Sequence, residues 1–268
     1  MRAAGHTSGV PYPYLDAPTP LAFAHRGGAA AGDENTAEAF GRAIALGYRY
    51  VETDVHATRD GVPVLFHDPT LARVAGRPEA IADLTWPDLA TVRVGGAAAV
   101  PRLDEVLAAW PAVRFNLDIK ADHAVEPAVA TLRRAGAGDR ALLASFSDAR
   151  LARLRRLAGP AVATSLGSRG VARLRLAAST GAPRFRPPAS AVAAQVPVRA
   201  YGLALGAGAR FVRLAHRLGL QVHVWTVDDP AQIGGLLDLG VDGIMTDQVE
   251  VLRDVYRSRG CWHPGEGT

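Results

Sequence analysis

The 268-residue sequence predicts an α/β chain closed into a (β/α)8 barrel, with a small insertion between strand two and strand three. Three observations lead there. Short apolar runs alternate with amphipathic helical stretches, and alternating β and α segments demand a parallel sheet with crossover connections. Eight such runs can be counted, the number that closes a barrel. The charged residues that interrupt these runs stand near their C-terminal ends, where barrels of this kind build their sites. The structural alternative is an open doubly wound sheet. That fold normally carries a glycine-rich nucleotide fingerprint after its first strand, and Gly27-Gly28 without a third spaced glycine is a poor match.

Taken in order, residues 1–19 read as a mostly extended N-terminal arm: the first 20 residues hold four prolines and no apolar core of a secretory signal. The barrel domain spans 20–256. Its strands are read at 20–25, 50–55, 114–119, 141–145, 161–165, 193–198, 221–226 and 242–246, and its helices at 37–46, 103–109, 124–135, 148–158, 169–178, 208–218 and 230–238. About sixty residues separate strands two and three, too many for a plain connection. They open on Thr58-Arg59-Asp60-Gly61-Val62, a hairpin signal, and return through Val62–His67. This insertion, about 57–102, ends near Pro101-Arg102-Leu103, and loops of that length are commonly lids or binding loops. Residues 257–268 read as a frayed tail.

Composition sets bounds on partners and compartment. The single cysteine, Cys261, excludes an internal disulfide framework and suits a reducing compartment, so a cytoplasmic location is expected. No stretch approaches the ~18 apolar residues of a transmembrane segment. The net charge of +4 is carried by arginines spread over predicted helices, the pattern of a solvated face. Without zinc-finger spacing or an aromatic-rich basic strand, no nucleic acid partner is expected. The expected partner is a small-molecule substrate, with a homodimer left open.

Of 30 basic residues only Lys120 is a lysine, at the end of Asn116-Leu117-Asp118-Ile119-Lys120. Ammonium is a compact point charge and guanidinium a planar fork, so this position reads as one where arginine does not substitute. In a strand, Asn116, Asp118 and Lys120 share one face, as do Glu52 and Asp54, while their apolar neighbours face the helices. Three carboxylates and a lysine inside a barrel cannot stand unpaired. Glu52, Asp54 and Asp118 offer only oxygen, which suits Mg2+ or Ca2+ rather than zinc. His25 and His67 stand near as acid and base. Arg26 and Lys120 can bind phosphate oxygens, and Gly27-Gly28 would let backbone amides approach an anion. The combination describes phosphoester cleavage.

His25-Arg26-Gly27, Glu34-Asn35-Thr36, Glu52-Thr53-Asp54-Val55, Thr58-Arg59-Asp60-Gly61, His67-Asp68, Asn116–Lys120, Val224-Trp225-Thr226-Val227 and Gly240–Asp247, in this order, resemble the glycerophosphodiester phosphodiesterase family over about residues 20–250. The resemblance implies a TIM barrel with an insertion after strand two. It implies hydrolysis of glycerophosphodiesters to sn-glycerol 3-phosphate and an alcohol with one divalent cation. Carried over by position, His25 and His67 become the acid/base pair, and Arg26 and Lys120 phosphate ligands. Glu52, Asp54 and Asp118 become metal ligands. Glu34 or Asn35 would sit near the metal-phosphate centre, and Trp225 would wall the substrate pocket. Two positions depart from the family: Asp118 stands where Glu is common, and Asp33 where proline commonly precedes Glu-Asn-Thr.

Plainer roles stand beside these. Asn35-Thr36-Ala37-Glu38 also fits a helix cap, and Asp247 with Glu250 is read chiefly as one. Trp225 also fits ordinary core, and His223 is read as structural. His123 and His216 are read as surface or helix packing residues, and His56 has no assigned role. Asp68 either orients His67 or starts the turn before Pro69. Lysophospholipase D and sphingomyelinase D enzymes share this barrel, and the loop 181–188 would give such a substrate basic and aromatic contacts. A Schiff-base aldolase using Lys120 is disfavoured, because surrounding carboxylates keep that amine charged. A non-catalytic phosphate-binding barrel would not need two histidines.

Overall fold

The computed structural model describes residues 12–180, 185–198 and 208–265. Eight parallel strands close on themselves: β1 (Leu21–His25), β2 (Tyr50–Ala57), β3 (Arg114–Ile119), β4 (Ala141–Ala144), β5 (Ala163–Ser165), β6 (Ala191–Pro197), β7 (Gln221–Trp225) and β8 (Gly243–Thr246). Each pairs with its neighbour in sequence, and β1 pairs with both β2 and β8. Around them run α1 (Ala37–Ala45), α2 (Leu103–Ala109), α3 (Val125–Arg134), α4 (Asp148–Ala158), α5 (Ser168–Thr180), α6 (Ala209–Arg217), α7 (Pro230–Asp238) and α8 (Val249–Ser258). The expected (β/α)8 barrel is therefore the observed fold.

Strand alternation divides each strand between two cores. Val51, Val55, Phe115, Leu117 and Ile119 join the helices in one buried cluster. Leu21, Phe23, Tyr50, Leu142, Ala193 and Met245 fill the lower barrel interior. Phe23 lies 5.0 Å from the Tyr50 ring and 4.9 Å from His223, centroid to centroid. Tyr14 closes the bottom, edge-on to Tyr50 at 5.4 Å. The described part of the N-terminal arm is thus not wholly extended: Pro13–Leu15 form a 3-10 turn that buries Tyr14 and Leu15. Burying Tyr14 and Leu15 contributes roughly 1.5–3 kcal/mol each, on the order of the entropy lost in ordering a three-residue turn.

Register brings the polar residues of separate strands to one level. His25 pairs with Glu52, Glu52 with Asn116, and Asp54 with Asp118. The Asp-Gly hairpin forms as expected: Pro63–Leu65 returns antiparallel along β2, with Val55 opposite Leu65. The rest of the insertion has its own core of Val64, Phe66, Leu71, Ile81, Leu89, Val92, Val94 and Val100. Its return is fastened where Leu65 N–H donates to the Pro101 carbonyl at 3.0 Å.

At the C-terminus the structure corrects the sequence reading. Residues 249–258, for which the sequence suggests only a cap at Asp247 and no helix range, form α8, burying Val249, Leu252 and Tyr256. The chain beyond does not fray before Gly265: Trp262 packs edge-on to Tyr48 at 5.1 Å, and Gly265 N–H donates to Gly47 O at 2.9 Å.

His223 is structural, as read. It is fully buried, its Nε2–H donates to Gln221 Oε1 at 2.9 Å, and Gln195 donates to its Nδ1 at 3.4 Å. Burial pushes the imidazole down to about 3. The folded protein therefore keeps it neutral while the unfolded chain, near 6.5, takes up a proton. Its stabilising contribution is complete above about pH 6.5 and is lost as pH falls toward 3. Urea unfolding across this window should show a slope that His223→Leu flattens by a few kcal/mol; an unchanged slope contradicts the assignment.

Candidate active site

The turn after β1 is built for close packing. Arg26, Gly27 and Gly28 all have left-handed backbones, at φ 52°, 85° and 90°. A Cβ on Gly27 would stand 2.5 Å from Phe40, and one on Gly28 2.7 Å from Val249. These glycines do not form the anion nest expected of them. Gly27 N–H donates to Ala24 O and Gly28 N–H to His25 O, so both amides are used within the turn. The amide that reaches the site is that of Arg26, donating to Glu52 Oε2 at 3.2 Å.

Each catalytic candidate histidine is backed by a carboxylate. His25 Nδ1–H donates to Asp247 Oδ1 at 2.7 Å, and its Nε2 lies 3.7 Å from Glu52 Oε2. Burial alone would lower the His25 imidazole, but Glu52 and then Asp247 outweigh it and raise its affinity for a proton. His67 Nδ1–H donates to Asp68 Oδ1 at 2.6 Å. In both rings an Nδ1–H bond leaves Nε2 as the exchangeable atom. Asp68 thus orients His67. Asp247 is a correction: α8 is preceded by Gln248 as its cap residue, and the Asp247 carboxylate serves His25. The pairing spans 222 residues of sequence, so local spacing carried no sign of it.

Between the histidines lies the buried charge. Lys120 Nζ stands 2.7 Å from Asp54 Oδ1 and 2.8 Å from Asp118 Oδ2. Arg26 Nε lies 3.3 Å from Asp54 Oδ2, close enough for an ion pair but not aligned to donate. Burial works against the Asp54 charge, yet Lys120 and Arg26 prevail and hold its carboxyl below the ordinary value. Glu52 lacks such a partner, and burial followed by the Asp54 charge pushes it up. Asp118 is also raised, burial outweighing Lys120. Lys120 itself would be lowered by burial, but Asp118 and Asp54 raise it, so the amine stays charged and is no Schiff-base nucleophile.

As a cation site the set has the right chemistry and an incomplete arrangement. Asp118 Oδ1 and Asn116 Oδ1 are buried acceptors without a protein donor, and Glu52 is short of positive charge. These oxygens suit a hard divalent ion. Among the described residues, however, no three His, Cys, Asp or Glu side chains gather in ligating geometry. The Lys120 ammonium bridges Asp54 and Asp118 instead.

Asn35 lies against Asp54, one of the candidate cation ligands. It is 1% exposed; its Nδ2 donates to Asp54 Oδ2 at 2.9 Å, and its Oδ1 accepts from Thr53 Oγ1 at 2.6 Å. It therefore orients Asp54, holding a left-handed backbone (φ 58°) that Asn tolerates better than most residues. The cap of α1 is Thr36, which accepts from Ala39 N–H at 3.2 Å. Asp33, at the position where proline is common, pairs with Arg42 at 2.7 Å. Trp225 is half-buried at the end of β7 and meets Phe146 edge-on at 5.7 Å. Phe146 is 58% exposed, and Lys120 Nζ lies 5.8 Å from its ring centre, so these two aromatics flank the charged cluster. His56 Nε2–H donates to His67 O at 3.2 Å, steadying the hairpin. His123 and His216 are exposed and bond Ala57 O and Asp242, as surface residues do.

Sequence reasoning missed Arg73 altogether. From the insertion it donates Nε to Asp68 Oδ2 at 2.6 Å, and NH1 and NH2 to Glu34 at 2.8 and 2.6 Å. Glu34 in turn accepts from Arg26 NH1 at 3.0 Å. One guanidinium thereby links the support of His67 to the support of Arg26. Its bond, with His67 assisting, draws Asp68 down to about 2. Arg73 lies within an ordinary-looking Ala-Arg-Val-Ala run, and only the folded insertion brings it to Glu34.

Such a rim can position a phosphorus centre between two proton-transfer groups and offset the charge that builds on its oxygens, which is the equipment of a phosphoric diester hydrolase. The sequence profile described as the glycerophosphoryl diester phosphodiesterase family matches residues 25–251, and the chain belongs to that family. A Mycobacterium tuberculosis (strain ATCC 25618 / H37Rv) protein named "probable glycerophosphodiester phosphodiesterase 2" is 41% identical over 245 residues, covering 90% of this chain and 92% of its own length. A Silicibacter pomeroyi DSS-3 crystal structure, provisionally assigned to the same activity, superposes with a TM-score of 0.77 at 27% identity, over 93% of this chain and 98% of its own. An Oleispira antarctica phosphodiesterase, solved with its product sn-glycerol-3-phosphate, shares the fold with a TM-score of 0.73 at 21% identity, over 89% and 97% of the two chains.

Arg73→Ala should lower kcat by up to about 10²-fold through misplacement of His67 and Arg26. The unfolding midpoint should barely move, because half-exposed ion pairs are worth ~1 kcal/mol or less. Arg73→Lys should recover only part of the rate, since an ammonium cannot fork across two carboxylates. Wild-type turnover in Arg73→Ala would remove the coupling role.

Proposed function

We propose that this protein hydrolyses glycerophosphodiesters to sn-glycerol 3-phosphate and an alcohol, with His25 and His67 as the acid/base pair. The observation that carries this reading is the symmetry of the two imidazoles. Each has Nδ1–H tied to its own carboxylate, and each belongs to the polar cluster around Asp54 and Glu52. Near relatives named for this activity, matched over most of their length, support it. So does the product found in the Oleispira antarctica relative.

In this reaction one imidazole takes the proton of the attacking water as its oxygen bonds to phosphorus. The other gives a proton to the departing alcohol oxygen as the second P–O bond breaks. Arg26 and Lys120 answer the charge on the non-bridging oxygens, and their own carboxylates keep them in place. Trp225 and Phe146 flank the substrate's organic part. Glu52, Asp54 and Asp118 would hold one divalent cation, Mg2+ or Ca2+. When bound, it would supply further positive charge to the phosphate oxygens. Lys120 would then exchange carboxylate contact for phosphate contact.

The alternative substrate, a lysophospholipid, has less support. A human lysophospholipase D matches at 35% identity but over only 38% of this chain, and residues 181–184 of the loop suggested for lipid contact lie outside the described residues.

Release of glycerol 3-phosphate from glycerophosphocholine, followed with and without a chelator, tests the reading. His25→Ala and His67→Ala should each lose about 10²–10⁴-fold in turnover while keeping the fold. Chelation should abolish turnover and added Mg2+ or Ca2+ restore it; turnover that ignores the chelator removes the cation. Faster cleavage of lysophosphatidylcholine than of glycerophosphocholine would transfer the assignment to the lipid substrate.

A further inference from the structure

Asp148 and Asp228 bracket 79 residues, 149–227, that contain no Asp or Glu and thirteen arginines. The other 189 residues carry 17 basic and all 26 acidic groups. The modest net charge of +4 therefore conceals a +13 segment joined to a −9 remainder.

The fold turns that segment into a surface. α5 and α6 follow the adjacent strands β5 and β6, and Arg175 lies 5.5 Å over the Phe211 ring, tying one helix to the other. On α5, Arg169, Arg173 and Leu176 stand at i, i+4 and i+7; on α6, Arg210, Arg213 and Arg217 stand at i, i+3 and i+7. All six side chains are exposed. Among the described residues none of these five arginines has a side-chain hydrogen bond or ion pair, whereas Arg150 and Arg153 on α4 pair with Asp122 and Glu126. An ordinary solvated helix face mixes signs at this spacing, where like charges repel. A stripe of uncompensated guanidinium groups instead matches a surface of phosphates.

Leu176 points to the kind of surface. Among the described residues only Phe146 and Leu176 are large apolar side chains left exposed, at 58% and 64%. Phe146 belongs to the mouth of the site. Leu176 continues the Arg169–Arg173 stripe, where a nucleic acid backbone would gain nothing from it. A lipid interface accepts both parts of the stripe, charge at the headgroups and the apolar side chain at the acyl boundary.

We propose that the α5–α6 face docks this protein on an anionic phospholipid bilayer, with the arginines on lipid phosphates and Leu176 in the interface. These helices run along the side of the barrel, so docking leaves the mouth, at its end, in water. The inference is independent of the substrate assignment.

Co-sedimentation of the full chain with phosphatidylcholine vesicles, with or without phosphatidylglycerol, tests it. Binding should require phosphatidylglycerol and weaken as salt screens the charges. The double variant Arg173→Gln/Arg213→Gln should lose about tenfold or more in partitioning. Leu176→Ser should weaken binding with the same salt dependence. Hydrolysis of soluble substrate should be unchanged in both. Equal binding to neutral vesicles, no binding to anionic vesicles at low salt, or unaltered partitioning of the double variant would overturn the proposal. Retention by duplex DNA without vesicle binding would overturn it too, and assign the face to nucleic acid.

Discussion

The Lys120 ammonium, held 2.7 Å from Asp54 and 2.8 Å from Asp118, is the contact on which the site depends. Carboxylates on neighbouring strands at one level of a barrel repel each other and lose their hydration. The cation between them makes the arrangement tolerable. Arg26 supplements it from the first turn, and Asn35 fixes Asp54 from a third direction. Glu52 is left the least compensated, and Asp118 keeps one oxygen without a donor. The cluster is therefore neutralised only in part, the condition in which it would accept more positive charge.

Around this centre each candidate imidazole has its own carboxylate, His25 from far along the chain and His67 from its neighbour Asp68. Asp247 reaches His25 across the closure of the barrel, where β8 meets β1. Arg73 reaches Glu34 from a separate hydrophobic unit in the insertion. The insertion thus belongs to the framework of the candidate site: it supplies His67, the carboxylate that orients it, and the guanidinium that joins both to Glu34 and so to Arg26. Arg73, half-exposed, contributes little to stability itself, yet it limits where the His67 imidazole can point.

The outer surface of the barrel is as unevenly charged as its interior. Acidic residues are absent from α5 and α6, and arginine stripes face outward from two adjacent helices. Among the described residues no helix is long and apolar enough to cross a membrane. An attraction to anionic lipid would therefore act at the surface of a bilayer and leave the hydrolytic mouth free.

Period-two alternation and the spacing of apolar runs determined the eight strands, the hairpin after β2 and the inward set Glu52, Asp54, Asn116 and Asp118, because these follow from local geometry that any strand obeys. For α8 the residues around Asp247 and Glu250 announced only a helix start, while the length of the helix is set by tertiary burial of Val249, Leu252 and Tyr256. Only the closed barrel decided that Asp247 belongs to His25, that Asn35 serves Asp54 and that Arg73 bridges Glu34 and Asp68. Those partners lie 222, 19 and 39 or 5 residues apart, distances at which sequence carries no period. The amides of Gly27 and Gly28 show the same limit. Their residue type announces a tight left-handed turn, but only the folded turn shows that their hydrogen bonds are spent within it.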